Sequence, residues 1–299
     1  MRKPYIDFMG KRNVFFIVSA LILAVAVGAL IFKPLNLGIE FKGGTIITLN
    51  NTQSATIAQV RAAAAAAGVP DAEVQATDRG FRVRSTEVKS VTAEQQASVL
   101  AGSLKVASTD LQVSTIGPEW GTDITNKAML ALVVSLIAIL VYISIRFEYK
   151  MAVTGVIALV HDALITLGIY ALLGRPVTPN TVAALLTILG YSLYDTIVVF
   201  HRIRENTQSL SKTTFMQMAN DSLNQVLARW VNTGLSSLIP VVCLLLLGGE
   251  TLRDFAFALT IGLVSGAYSS VAVASPLYAM WKEREPRYLA LAKKFAGAK

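Results

Sequence analysis

Three charged side chains lie inside stretches otherwise apolar enough to cross a membrane. Asp162 follows His161 in the middle of one stretch, Asp195 sits near the end of the next, and Arg229 opens the one after. An ionisable group in hydrocarbon is costly, so by default it marks a proton or ion path, a ligand site or a buried pair. Arg229, Asn232, Thr233, Ser236 and Ser237 fall at i, i+3, i+4, i+7 and i+8, which is one face of a helix. Lipid cannot satisfy such a face, so it must meet protein or water. Ser192 and Asp195, at i and i+3, offer a matching polar patch on the preceding helix, and an Asp195–Arg229 pair is expected between the two. An arginine nearby favours an ionised carboxylate and desolvation favours the neutral acid, so a carboxylate poised between these effects takes up and releases a proton. Structural readings stand beside these. Asp195 could be a fixed partner of Arg229, Asp162 a packing residue bonded to a neighbouring span, and the polar face interhelical glue.

Other chemistry finds little support. His161-Asp162 has the look of a metal-dependent hydrolase pair, but the chain has two histidines and no acidic cluster beside them, so no metal is expected. The single cysteine, Cys243, lies in an apolar run, which leaves neither a disulfide framework nor a cysteine metal site. With no nucleophile–base constellation and no phosphate-binding loop, an enzyme is not expected, nor is a cofactor.

The elements that position these residues follow from where charge is missing. Charged residues are 15% of 299 and apolar ones 54%, against roughly 25% charged in a globular chain. Apart from Asp162, Asp195 and Arg229, charges vanish from stretches of about 20 residues, the length needed to cross the hydrocarbon layer. These are Asn13–Phe32, Ala128–Ile145, Met151–Leu173, Thr181–Phe200, Arg229–Leu247 and Phe255–Trp281. The first follows Arg2, Lys3, Lys11 and Arg12 but exceeds the apolar core of a signal peptide, so it reads as a retained helix. Lys and Arg gather in alternate loops (Arg146 and Lys150; Arg202, Arg204 and Lys212; the tail from Lys282 to Lys294), which puts both termini in the cytoplasm. The net charge of +8 is then a topology signal rather than a nucleic-acid footprint.

Residues 33–126 are polar and read as a small α+β domain. Ile39–Leu49 has a strand-like apolar pattern (Ile46, Ile47, Leu49) after the Gly43-Gly44 pair, Ala55–Ala67 is helical and stopped by Gly68 and Pro70, and Glu73–Gln75 and Phe81–Arg84 flank the turn Asp78-Arg79-Gly80. Thr92–Leu104 is helical and Leu111–Thr115 strand-like, which completes a β-α-β-β-α-β order. The expected fold class is therefore an α-helical membrane protein with six transmembrane helices and a ferredoxin-like extracytoplasmic domain between helices 1 and 2. The expected organisation is 1–32 for the amino terminus and first helix, 33–126 for the outer domain, 127–281 for helices 2–6, and 282–299 for a basic cytoplasmic tail. Residues 202–228 read as an amphipathic helix on the cytoplasmic surface. Gly262, Gly266 and Ser270 recur at four-residue spacing, which lets helices approach closely, and Pro240 and Pro276 mark kinks. Met1 and the basic tail suggest a self-contained subunit.

Four stretches carry a family resemblance: Leu37-Gly38-Ile39-Glu40-Phe41-Lys42-Gly43-Gly44-Thr45, Gly190 to Asn206, Leu223 to Arg229, and Gly266-Ala267-Tyr268-Ser269-Ser270 with Pro276. In order and spacing the chain resembles the SecF family, the smaller membrane subunits of the SecDF accessory complexes of bacterial protein export, within the resistance-nodulation-division superfamily. The family motif falls here on Glu40, Gly43, Gly44, Tyr191 and Ser192. Glu40 stands where the family usually has Asp, and Tyr194 and His201 where it commonly has Asn and Asp. The resemblance implies a half-transporter in the cell inner membrane that pairs with a similar half, SecD. It also implies use of the proton motive force to draw preproteins from the SecYEG channel, with YajC and YidC as further partners. An aspartate matching Asp195 and an arginine matching Arg229 are tied to proton passage in that family. A proton-driven small-molecule or lipid exporter of the same superfamily is the alternative, and the small outer domain speaks against it.

Overall fold

The computed structural model describes residues 5–52, 55–77, 79–85 and 90–296. Met1, Arg2, Lys3, Asp78 of the expected turn and residues 297–299 lie outside the described residues. The chain opens with α1 (Arg12–Phe32), β1 (Asn36–Leu37), the single turn α2 (Ile39–Lys42), β2 (Gly44–Asn50) and α3 (Ile57–Ala66). It continues through β3 (Glu73–Thr77), β4 (Gly80–Ser85), α4 (Ser90–Leu104), β5 (Leu111–Ile116), α5 (Pro118–Arg146) and α6 (Tyr149–Leu173). After β6 (Pro176–Val177) come α7 (Pro179–Gln208), α8 (Phe215–Leu247), α9 (Gly249–Ser269), a π-helical turn (Ser270–Ala274), α10 (Ser275–Glu283) and α11 (Pro286–Ala296). Two compact units result: Asn36–Ala131 with Pro176–Pro179, and the remainder.

The smaller unit is built on a four-stranded sheet in the order β3-β4-β2-β5 with every neighbouring pair antiparallel. With α3 and α4 as crossovers this is the ferredoxin-like topology that the element order implied. Alternation on β2 and β4 sends Ile47, Leu49, Phe81 and Val83 to one face, where they bury against Val60, Ala63 and Ala64 of α3 and Ala97 and Leu100 of α4. A capping box holds the start of α3: the Thr56 side chain accepts from Gln59 N–H, and the Gln59 side chain accepts from Thr56 N–H. The glycine pair turns α2 into β2. Gly43 and Gly44 have φ of 75° and 138°, and a Cβ on Gly44 would lie 2.4 Å from the Ser85 carbonyl oxygen. The unit also takes in β6, which pairs in parallel with β1 while Gly38 N–H donates to Val177 O at 2.8 Å. A two-residue bridge across 140 positions leaves no periodic trace, so boundaries of 33–126 could not anticipate it.

Among the described residues six helices are long and apolar enough to cross a membrane, with α9, the π turn and α10 counted as one span; α5 belongs to the smaller unit up to Ala131 and the other five to the larger. Because lipid is as apolar as leucine, helix association here must come from close packing and hydrogen bonds. Gly168 of α6 meets Ala26 of α1, where an added Cβ would lie 2.4 Å from the alanine Cβ. Gly262 and Gly266 of α9 likewise face Ile188 and Ser192 of α7, so the small-residue spacing does serve close approach. Val14, Leu21, Val134, Ile137, Leu235 and Ile239 are exposed, an apolar surface suited to lipid or to a partner's helices. Pro276 follows the π turn, which widens the helix where a proline ring would press on the Ala272 carbonyl, and Ser275 Oγ donates to Ser270 O at 2.6 Å.

The segment expected as a separate surface helix over 202–228 is arranged differently. α7 continues to Gln208, and α8 runs unbroken from Phe215 into the fifth span. Phe215, Met218, Ala219 and Leu223 pack on Phe8, Met9, Phe200 and Tyr278 rather than on lipid. Asn220 Oδ1 accepts from Phe8 N–H and Met9 N–H at 2.8 and 3.1 Å, and Asn224 Oδ1 from Ile6 N–H at 2.8 Å. The polar residues thus seat the amino-terminal segment, a partner that an amphipathic pattern cannot reveal.

At the ends of the spans Lys150 Nζ donates to Glu285 at 2.7 Å, and Lys282 Nζ to Glu148 at 2.7 Å and to Glu285 at 3.0 Å. Burial alone would raise the Glu285 carboxyl, but the bonds from Lys150 and Lys282 outweigh it and hold the group below the ordinary 4.5. A depressed folded-state value stabilises the fold above 4.5, and that contribution disappears as pH falls through the folded value. Trp281 packs edge-on against Tyr149 and beside Lys150, so its fluorescence reports on this corner. In a variant retaining only this tryptophan, the thermal midpoint should hold from neutrality to just above 4.5 and then drop, whereas Glu285→Gln should start lower and lose less. Identical profiles for the two would show that the corner is not held by this carboxylate.

Candidate functional site

Asp162 is the centre of the buried polar structure. It is 0% exposed and stands midway along α6. Ser192 Oγ of α7 donates to its Oδ2 at 2.8 Å, Ser269 Oγ of α9 to the same oxygen at 2.8 Å, and Ser265 Oγ to Oδ1 at 2.7 Å. His161 Nδ1 lies 3.1 Å from Oδ1 and donates when that nitrogen carries the proton. Four donors match the acceptor positions of a carboxylate. Three helices are therefore tied at one point in hydrocarbon, where an unmade bond is expensive. The imidazole of His161 stacks on Tyr268, with centroids 6.3 Å apart, and Tyr268 OH reaches Ser19 Oγ and Phe15 O of α1 at 3.0 Å each. The network thus extends to a fourth helix.

Asp195, one turn beyond Ser192, is the opposite case. It is 3% exposed, and its Oδ2 has no hydrogen-bond partner. Its neighbour Thr196 is engaged, with Oγ1 2.8 Å from Ser270 Oγ at the start of the π turn. Two carboxylates at the heart of the same bundle thus differ completely: donors immobilise one and leave the other without a bond at Oδ2.

The expected Asp195–Arg229 pair is not formed. Arg229 is exposed on α8, while Asp195 is buried among α7 and its neighbours. The patch of Ser192 and Asp195 also does not match the polar face of α8, since Ser192 turns to Asp162. The α8 face is met instead by Tyr191, whose OH donates to Thr233 O at 3.1 Å and to Ser237 Oγ. Adjacent positions on a helix are about 100° apart, so Tyr191 and Ser192 address different neighbours. Asn232 and Ser236 remain exposed, with Thr233 and Ser237 half-buried. Ser265 and Ser269 were not singled out as site residues. Their i, i+4 spacing beside Gly262 and Gly266 was the available signal. Of the remaining motif residues, Gly43 and Gly44 shape a turn in the smaller unit, and Glu40 Oε2 is buried there without a partner. His201 is exposed. Among the described residues no group of His, Cys, Asp and Glu could hold a metal ion.

Comparison with known proteins gives a consistent set of similarities. The family model for the SecD/SecF C-terminal region of protein export membrane proteins matches residues 96–284, and that for the SecD/SecF GG motif matches residues 28–50. The protein translocase subunit SecF of Streptomyces coelicolor is 40% identical over 297 residues, which is 96% of this chain and 80% of that protein. The protein translocase subunit SecF of Calditerrivibrio nitroreducens is 36% identical over 293 residues, covering 94% and 96% respectively. The crystal structure of SecDF from Thermus thermophilus, described as a translocon-associated membrane protein, superposes with a TM-score of 0.88 at 36% identity. The match takes in 94% of this chain and 39% of that longer one. Asp162, Asp195 and Arg229 fall within the longer family match, and the Gly43-Gly44 turn within the shorter.

Proposed function

Because the chain belongs to the SecF family of protein translocase subunits, we propose that this multi-pass membrane protein promotes preprotein transport as one half of a proton-driven machine. It pairs with SecD within a translocase. The reading places it in the bacterial inner membrane with both termini in the cytoplasm and the ferredoxin-like domain outside, as the alternation of Lys and Arg between loops supports. SecYEG and the emerging preprotein are the further partners, with YajC and YidC alongside. The role is transport and not enzymatic catalysis. The exporter alternative finds no support among relatives that are named as translocase subunits.

The observation that carries the proton reading is the contrast between the two buried carboxylates. Asp195 carries the proton, because no donor occupies its Oδ2. Asp162 holds α6, α7 and α9 in register around it through Ser192, Ser265 and Ser269. Arg229, Asn232 and Ser236 face outward on α8, where the partner half or its water must satisfy them. The arginine thus acts at the junction between halves, reaching Asp195 only in another arrangement. Thr196 and Ser270 couple the Asp195 segment to the π turn, the irregular element able to change register as charge comes and goes.

The test compares inverted membrane vesicles with and without this chain for preprotein import, before and after a protonophore. The increment that the chain adds should vanish when the gradient collapses. An increment that survives would mean a scaffold that stabilises the channel without proton coupling.

A further inference from the structure

A cavity of about 570 Å³ opens beside the start of α1, the 209–214 loop, the first turn of α8 and the last of α11. We propose that it binds the phosphate of an anionic phospholipid headgroup in the leaflet on the side of the amino terminus. This inference is independent of the proton pathway.

The depth of the cavity follows from α1. That helix is 21 residues long, about 32 Å at 1.5 Å per residue. It therefore spans the ~30 Å hydrocarbon layer and leaves Arg12, its first residue, at headgroup level. Arg12 is half-buried and lines the cavity. Of the five N–H donors in its guanidinium, one is used, from Nη1 to Met9 O at 3.0 Å. Lys212, also on the wall, has no partner among the described residues. Asp7 is the acid on the wall. Its Oδ1 accepts from Gly10 N–H at 2.8 Å, and it forms no ion pair with either cation. Two cations with free donors match a phosphate diester, which offers one negative charge and two unesterified oxygens, and they repel a headgroup that also carries a cation.

The rest of the wall separates a lipid from a soluble phosphate. Met9, Met216 and Phe295 give it an apolar side suited to the glycerol and first acyl carbons. Phe295 belongs to α11, which is basic and amphipathic, with Arg287, Lys293 and Lys294 and an exposed Leu289. Such a helix following the last span lies in the interface plane, which sets the cavity mouth against the headgroups.

The full chain, purified in a zwitterionic detergent, would be titrated with phosphatidylglycerol, phosphatidylcholine and inorganic phosphate, and bound lipid would be counted by native mass spectrometry. Phosphatidylglycerol should be retained in preference to phosphatidylcholine. Lys212→Gln and Arg12→Gln should each weaken that retention by about fivefold, the effect of one basic group at the surface. Lys293→Gln, outside the cavity, should leave it unchanged. Lys212→Gln lies in a loop between spans and decides the matter if Arg12→Gln fails to insert. Equal retention of both lipids, or equal losses in Lys293→Gln and Lys212→Gln, would overturn the site in favour of diffuse charge. Protection of the site by inorganic phosphate at comparable concentration would overturn the lipid assignment.

Discussion

Asp195→Asn should reduce preprotein export to that of cells lacking the subunit, while the protein remains at its normal level in the membrane. Asparagine is nearly isosteric and stays neutral, so packing of α7 is retained and the ability to gain and lose a charge is removed. The Asp195 environment makes the separation clean, because Oδ2 makes no hydrogen bond whose loss could unfold the bundle. The expected loss is large because a proton that fully governs a two-state arrangement must favour one state by about 5.5 kcal/mol. With that difference gone, the gradient has no grip on the helices. The measurement is export of a reporter preprotein in cells whose only copy carries the substitution, with the membrane level followed by blot. Unchanged export would remove Asp195 from the mechanism.

The second large effect is at Asp162 and runs the other way. Asp162→Ala should prevent stable assembly, because Ser192, Ser265 and Ser269 would lose their common acceptor inside the bundle. Each buried group left unpaired costs about 1–3 kcal/mol, and partial relief is available only where a hydroxyl can turn to a backbone oxygen, as Ser269 can to Gly266 O at 3.3 Å. Asp162→Asn should restore much of the assembly and of the export, since its carbonyl accepts from two hydroxyls and its amide can donate to the third. Thermal midpoints in detergent and export in cells separate the roles. A chain with Asp162→Asn that assembles normally yet fails to export would make Asp162 a proton station in its own right.

The same pair of residues shows how far the one-dimensional pattern reaches. Charge depletion over about 20 residues marks a span irrespective of its neighbours, because the requirement is set by the thickness of the lipid layer. The apolar positions Ile47 and Leu49, the helix stop at Gly68 and Pro70, and the order of elements likewise carried the ferredoxin-like unit. These are local or periodic properties, and each is imposed on the chain by solvent or by its own backbone.

The partners of Asp162 and Asp195 belong to another class of fact. Polarity in a span says that a group needs protein or water, but the identity of its neighbour depends on which helices adjoin and at what rotation. A matching depth made Arg229 the natural partner of Asp195, yet Arg229 faces outward. The register set where Gly266 meets Ser192 turns Ser192 toward Asp162 instead. The stretch 202–228 was visible as amphipathic, and only the fold could show that Phe215, Met218 and Leu223 within it receive Phe8 and Met9. Composition and periodicity thus determined the membrane class, the spans and the small domain, because solvent acts on each segment separately. Tertiary structure alone decided which buried carboxylate is held by donors and which is left free, because that outcome rests on side chains from α6, α7 and α9 meeting at distances no sequence spacing records.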